Sequence, residues 1–600
     1  MWQKIKALVK TYYKPFLLIF IIYLVAFFTL YRDQYFFTDD TPRSVDGYDY
    51  IGDFNRFSSN IVVHTVQMTL GNLVAIAPIG QIIAMAVLAI SSLLLVSLFS
   101  DKKPSLKRPV PLILSTLLGL TPFMLNAWQY QFESTWFSTA IFMAILPYAL
   151  YWGKTPSFKL VFSNSGRQTP RLHIDEYLAL FSKILFVTIA CNIFVWTSWQ
   201  VATGIFLSLG LAMIFKSIIN RQKLPWSDII TFILAYIVAT IFAYITTLGM
   251  SSYVDTSIFP LQEMIPGLIR NLIYALRIVA DSLNRTWIFL GIASLVCLFI
   301  LNRTRNYFLA VIYFVLAFPI SIGPCLALQI FHIDARSLVG PVLSFTIFVL
   351  MLIPTQFSQR NIKLFAKLNP KMLLTPLFCL LYSFAVCAWS YGNALTDQYR
   401  YEEFRISTLE SDLAHLYPTE SLDEYLVDLY GNVGLSAMMV NHFYVFPVAS
   451  FTFFQFSSGL SDNLLSLTRM SRYFGREQNS LVYGADPNYA YHVKLDCDDT
   501  TKYQPVLDTY YYTILDNRNA DNSEIVPIDD LRDAGVDLTG ITEDGYFLHN
   551  LHNRKFGVCV ILKEDAKPSG NKNITYYRGQ LVKDKFYPYD SPEEEDVTEN

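Results

Sequence analysis

The chain has 600 residues, of which 53% are hydrophobic, 16% aromatic and only 16% charged; soluble globular chains carry roughly 25% charged residues. Its net charge of -3 hides two opposite parts: residues 396–600 hold 17 Lys and Arg against 34 Asp and Glu, and residues 1–395 hold 29 against 15. A basic, apolar front joined to an acidic, polar tail excludes a soluble enzyme, a nucleic-acid binder and a fibrous protein, and predicts a polytopic α-helical membrane protein with an appended soluble domain.

A bilayer core about 30 Å thick needs roughly 17–25 apolar residues per helix. Stretches near that length occur at 15–32, 71–99, 109–127, 135–152, 177–195, 199–216, 228–248, 286–302, 307–328, 337–355 and 372–392, which predicts eleven spans within a transmembrane domain of residues 1–395. Lys4, Lys6, Lys10 and Lys14 precede the first run, and no small-x-small pattern follows it, as in an uncleaved anchor. Lys and Arg are retained on the cytoplasmic side. With the N-terminus inside, the cytoplasmic segments carry 21 Lys and Arg. The outer segments carry only seven, all Arg: Arg32, Arg43, Arg56, Arg270, Arg277, Arg285 and Arg336. This asymmetry predicts a plasma-membrane protein with a cytoplasmic N-terminus and an extracytoplasmic tail.

The tail, 396–590, reads as an α+β soluble domain. Helical pattern covers 397–415 and 421–430, and strand-like runs rich in Tyr, Val and Ile cover 505–515 and 556–562. Residues 432–460 lack Asp, Glu, Lys and Arg; His442, Pro447 and their polar neighbours favour buried core of that domain over a twelfth span. The last ten residues, 591–600, form a solvated acidic end. Cys497 and Cys559, the two tail cysteines, could pair if the tail faces an oxidising exterior, and two residues alone do not decide it, whereas the five in or beside apolar segments read as small buried hydrophobes.

The outer segments hold the chemistry-bearing residues. Two of them have helical texture, at about 41–58 and 260–284, and present apolar stripes suited to the membrane surface. Asp39 and Asp40 stand together where the first span ends. They serve either as helix-cap acids ahead of Pro42, or as a general base and its companion. Glu133 either caps the following helix or binds a sugar hydroxyl. Trp196 and Trp199 suit an interfacial aromatic belt or sugar stacking. Each outer Arg is suited to headgroups or to an anionic substrate.

The Asp39-Asp40-x-x-Arg43 motif, followed by Gly47-Tyr48 and Arg56, and the later FHIDARSLVGP loop at 331–341, resemble the bacterial glucosyltransferase II family. This family belongs to the GT-C class of glycosyltransferases. The resemblance covers the layout of residues 1–395. It implies transfer of a hexose, glucose or similar, from a polyprenyl-phosphate sugar to a cell-surface polysaccharide outside the membrane. Asp39 and Asp40 would then be catalytic, Arg336, Arg285, Arg277 and Arg43 would bind the donor phosphate, and Tyr48, Glu133 and His332 would bind substrate. No cofactor is implied, and a divalent metal is not demanded because Arg can meet a monophosphate leaving group. The implied partners are the lipid-linked donor, the polysaccharide acceptor and membrane lipid, without nucleic acid, and a cytoplasmic-side donor synthase and a flippase in the same pathway. A polysaccharide polymerase and a lipid-linked sugar transporter are the alternatives. A transporter would place ionisable groups near the bilayer midplane, whereas here they collect at one surface.

Overall fold

The computed structural model describes residues 2–32, 40–45, 56–100, 103–155, 174–246, 258–329, 335–353, 371–418, 425–432, 434–453, 505–509 and 512–516, with Phe37, Gly47, Asn369 and further tail strands at 457–458, 482–483, 489–493, 523–527, 556–562, 579–582 and 585–588. The chain divides into two compact units. The first comprises Met1–Gln34, Tyr48–Asn393 and Asn441–Phe453; the second comprises Tyr35–Gly47, Ala394–Val440 and Phe454–Asn600.

Each expected span of the first unit contains a helix, although the stretch 71–99 is helical only over Ile79–Phe99. Among the described residues, seven helices are long and apolar enough to cross a membrane, or up to nine if each of two bent pairs counts as one span. Two more expected spans are the helices Trp2–Ala26 and Ser134–Tyr151; they fall outside that count, the first carrying Lys10 and Lys14 and the second being rich in Ser, Thr, Trp and Tyr. The pair Pro109–Leu120 and Pro122–Trp128 bends by 49°, where Pro122 cannot donate to the preceding turn. The helix Met264–Ser282 turns by 105° into Arg285–Leu301. Asn284 caps the second of these, accepting a hydrogen bond from the Trp287 amide at 2.8 Å.

Hydroxyls inside these helices close locally, because hydrocarbon offers no partner. Ser91 donates to the Val87 carbonyl, Thr188 to Ile184 and Thr346 to Val342. Others join helices: Tyr23 Oη lies 2.8 Å from Ser92 Oγ, and Ser208 Oγ lies 2.6 Å from Ser344 Oγ. Close packing converges on Ser321. A Cβ added to Gly204 would lie 1.8 Å from the Ser321 carbonyl oxygen, and one added to Gly340 would lie 2.0 Å from it. Gly204→Ala or Gly340→Ala must push helices apart, at about 1–3 kcal/mol or more. Either change is expected to lower the thermal midpoint in detergent by several degrees. Gly291→Ala, where the added Cβ meets nothing within 4 Å, is expected to leave it in place.

The surface helix expected over 41–58 is not one helix. Asp40–Val45 forms six residues, Gly47 adopts a left-handed φ of 69°, and a separate helix runs Phe57–Gln67. Left-handed φ ends a right-handed helix; residues 48–55 lie outside the described residues. A helix, Met264–Ser282, occupies the second of the two expected stretches. It buries Gly267, Asn271, Ala275, Ile278 and Ser282 at helical spacing and leaves Ile265, Ile269 and Leu276 exposed.

In the second unit, a five-stranded sheet has the order Ser457–Ser458, Tyr425–Asn432, Phe556–Leu562, Tyr512–Asp516, Pro505–Asp508. Tyr425–Asn432 runs parallel to Phe556–Leu562, and the other neighbours are antiparallel. The helical reading of 421–430 is thereby corrected: pairing with Phe556–Leu562 from Tyr425 to Tyr430 overrides a local pattern that short apolar segments leave ambiguous. The helical pattern at 397–415 belongs to a 42-residue helix, Thr375–Leu416. Among the described residues of the uncharged stretch 432–460, no helix is long enough to span a membrane. Its helix Ala437–Val445 has nine residues, about 14 Å at 1.5 Å per residue, before Pro447 opens a 3-10 turn. Nor does all of it serve the tail: Asn441–Phe453 belongs to the first unit, where its groups find the partners described below. Cys497 and the side chain of Cys559 lie outside the described residues.

Candidate functional site

The first unit builds a buried ion-pair site around Arg336. This residue lies in the 3-10 turn Ala335–Leu338, directly before the helix Val339–Leu352. Its Nη1 donates to Glu133 Oε2 at 3.2 Å, with the Glu133 side chain 3% exposed and that of Arg336 22% exposed. The guanidinium also stacks 4.8 Å from the Tyr130 ring centroid and 5.6 Å from that of Phe137. Phe137 in turn packs at 4.6 Å against Trp199. A planar cation needs such faces when partly buried, and the carboxylate balances a charge that would otherwise be costly to desolvate.

This geometry does not bear out the cap reading of Glu133. Glu133 occupies the N-cap position of Ser134–Tyr151, but its side chain makes no cap hydrogen bond; it pairs instead with a residue 203 positions away. Trp196 and Trp199 are 3% and 4% exposed, so they are interior packing residues rather than a lipid-facing belt.

The loop leading to Glu133 is held by amide chemistry. Gln129 Nε2 donates to the Thr452 carbonyl at 2.7 Å, and Asn126 Nδ2 donates to the same oxygen at 3.0 Å. Gln129 Oε1 accepts from Tyr391 Oη at 2.5 Å. Nearby in the same segment, Asn284 Nδ2 donates to the Val445 carbonyl at 3.2 Å, and Phe446 stacks on Trp287 at 5.5 Å. Neither Gln129 nor Thr452 stood out in the sequence, since their pairing spans 323 positions and leaves no local pattern.

His442 sits in this docked segment between the rings of Tyr391 and Phe446, at 5.5 and 5.2 Å. Its Nε2 is buried without a hydrogen-bond partner among the described residues. Burial pushes its pKa down to about 4, from an ordinary 6.5. The unfolded or undocked form therefore binds more protons between those values, and the native form loses stability as pH falls from about 6.5 to about 4. The loss is roughly 3 kcal/mol at most. The protection factors of the Asn441–Phe453 amides, taken relative to the intrinsic exchange rate at each pH, are expected to be lower at pH 5 than at pH 7.5, and His442→Phe should remove that difference.

The second unit holds another set of buried charges. Asp40 opens the helix Asp40–Val45 and is fully buried; Arg43, within that helix, is 4% exposed. On the helix Thr375–Leu416, Gln398, Glu402 and Arg405 follow at spacings of four and three and are almost fully buried. Gln398 Nε2 donates to Glu402 Oε1 at 3.0 Å and to the Gly434 carbonyl at 3.1 Å, while its Oε1 accepts from the Ser436 amide at 2.8 Å. Arg405 donates to Tyr401 Oη at 2.6 Å. Buried acids and arginines in equal number are expected where charge is compensated. Glu402 and Arg405 were not singled out by sequence, although their spacing on one helix face is a signal that could have found them.

The remaining expected site residues are dispersed. Arg277 and Arg285 are exposed, on Met264–Ser282 and at the start of Arg285–Leu301. Asp39, Tyr48 and His332 lie outside the described residues. Among the described residues, no three His, Cys, Asp or Glu are grouped to hold a metal ion.

A family model described as Glucosyl transferase GtrII matches residues 28–355. The chain belongs to this family. The match begins before the Asp39-Asp40 pair and ends beyond Arg336, so the GtrII region contains both buried charge sets' N-terminal members and the whole Glu133–Arg336 site. Neither a curated protein nor a solved structure matches the chain. Membership in the GtrII family makes glycosyl transfer the activity for which these residues must account.

Proposed function

We propose that the chain transfers a glucosyl group from a polyprenyl-phosphate sugar to a cell-surface polysaccharide, on the extracytoplasmic side of the plasma membrane. The observation that carries this reading is the Arg336 site: a guanidinium fixed by a buried carboxylate and two aromatic rings in a glucosyltransferase-family membrane protein. A phosphate oxygen gains negative charge as the bond to the sugar breaks, and a fixed guanidinium stabilises that charge without reorganising. The acidic partner of the reaction is assigned to Asp40 or Asp39. In the proposed step the acceptor hydroxyl oxygen forms a bond to the anomeric carbon, and the bond from that carbon to the phosphate oxygen breaks. The hydroxyl proton passes to the carboxylate, and polyprenyl phosphate leaves with the electron pair.

The distribution of Lys and Arg supports an outer location for both sets of residues. Deleting the gene is expected to make polyprenyl-phosphate glucose accumulate in extracted lipid while one surface polymer loses a glucosyl branch. Unchanged lipid-linked sugar together with an intact polymer would overturn the proposal.

A further inference from the structure

The segment Asn441–Phe453 lies far along the chain from residues 109–152, yet the two are joined through one carbonyl oxygen. The Thr452 oxygen accepts from Asn126 and Gln129, using both of its lone-pair directions. Gln129 is satisfied at its other end by Tyr391. The next residue, Tyr130, provides one face for the Arg336 guanidinium, and Glu133, one turn on, provides its counter-charge. Every link from Thr452 to Arg336 is therefore a hydrogen bond, a short covalent step, a ring stack or an ion pair within the first unit.

We infer that Gln129 is a positioning residue, and that Asn441–Phe453 is a brace which, through the Thr452 carbonyl and Gln129, fixes Tyr130 and Glu133 beneath the Arg336 guanidinium. This inference rests on the reading of Arg336 as the leaving-phosphate contact, and gives that contact its geometric support. The chemistry favours a brace over general packing. A buried primary amide that donates to one backbone carbonyl and accepts from one phenol fixes the orientation of its own backbone in two directions. A shift of about 1 Å in a charge-stabilising group is enough to cost a large part of its effect. A ring stack and an ion pair tolerate little such shift, since both depend on where residues 130 and 133 stand.

Arginine modification by phenylglyoxal reads the brace without reading activity. The guanidinium of Arg336 is shielded by Glu133 and two rings, whereas Arg277 is exposed and supplies an internal standard. In membranes carrying the full chain, Gln129→Ala is expected to raise the modification rate of Arg336, measured by mass spectrometry, at least fivefold relative to Arg277. Tyr391→Phe removes only the hydroxyl donor and should raise it two- to threefold, so the inference stays testable if Gln129→Ala folds poorly. Glu133→Gln, which keeps the shape but not the charge, should raise it as Gln129→Ala does. In transfer assays Gln129→Ala should lower kcat/KM about tenfold, and Gln129→Glu, which keeps the acceptor but loses the donor, should not restore it. Arg336 modification at the wild-type rate in both Gln129→Ala and Tyr391→Phe would overturn the brace. Faster modification with unchanged transfer would leave the brace standing and instead remove Arg336 from the reaction.

Discussion

Replacing Asp40 with Asn is expected to reduce sugar transfer by roughly 10²–10⁴-fold if Asp40 is the base, the usual contribution of positioned proton transfer. Asparagine keeps the size and one acceptor oxygen but cannot take the acceptor's proton. Asp39→Asn is the companion experiment: the acid whose loss costs more than a hundredfold is the base, and the other should show a smaller effect. Asp40 is fully buried at the start of its helix, so its replacement by the neutral isostere removes a buried charge as well. Expression level and thermal midpoint must therefore be compared alongside activity. Transfer near wild-type rates in both variants would contradict the assignment of the acids.

The second large effect concerns Arg336. Arg336→Ala removes a fixed charge from the leaving group, and removal of one such stabilising donor costs about 10²–10³-fold in rate. It also strands Glu133, whose side chain is 3% exposed; breaking a buried pair from one side costs about 3–5 kcal/mol of stability. Arg336→Lys keeps the charge but lacks the planar fork that faces Tyr130 and Phe137. It is expected to recover stability more than rate. The paired measurements separate a phosphate contact from a structural ion pair: a purely structural Arg336 would lose its thermal midpoint with Ala and regain full rate with Lys. The exposed Arg277→Ala is expected to cost less than tenfold by the same assay.

Local features were legible in the sequence and long-range ones were not. Apolar runs of bilayer length became helices because hydrocarbon leaves the backbone no partner outside its own helix. The helix Met264–Ser282 was visible for a related reason, its periodic apolar residues. The break at Gly47 was missed because an apolar stripe stepping by three from Val45 to Phe57 carried the reading across a left-handed residue. The strand Tyr425–Asn432 was missed because its state is decided by a neighbour more than a hundred positions later. The candidate site shows the same division. Asp40, Arg43, Glu133 and Arg336 stood out individually as charges beside apolar segments. That Glu133 pairs with Arg336, that Gln129 anchors to Thr452, and that Asn441–Phe453 serves the first unit are consequences of packing, for which one sequence carries no signal. His442 illustrates this: it marked a polar interruption in an apolar run, and only its surroundings show a neutral imidazole enclosed by rings.

The most direct test of the whole account supplies polyprenyl-phosphate glucose, labelled in the sugar, to right-side-out membrane vesicles that contain the chain and its polymer but no nucleotide sugar. The account predicts that label moves into polymer, that one polyprenyl phosphate is released for each glucosyl transferred, and that Asp39→Asn with Asp40→Asn abolishes both. Label that stays on the lipid in the wild-type vesicles, with incorporation appearing only when a nucleotide sugar is supplied as donor, would contradict it.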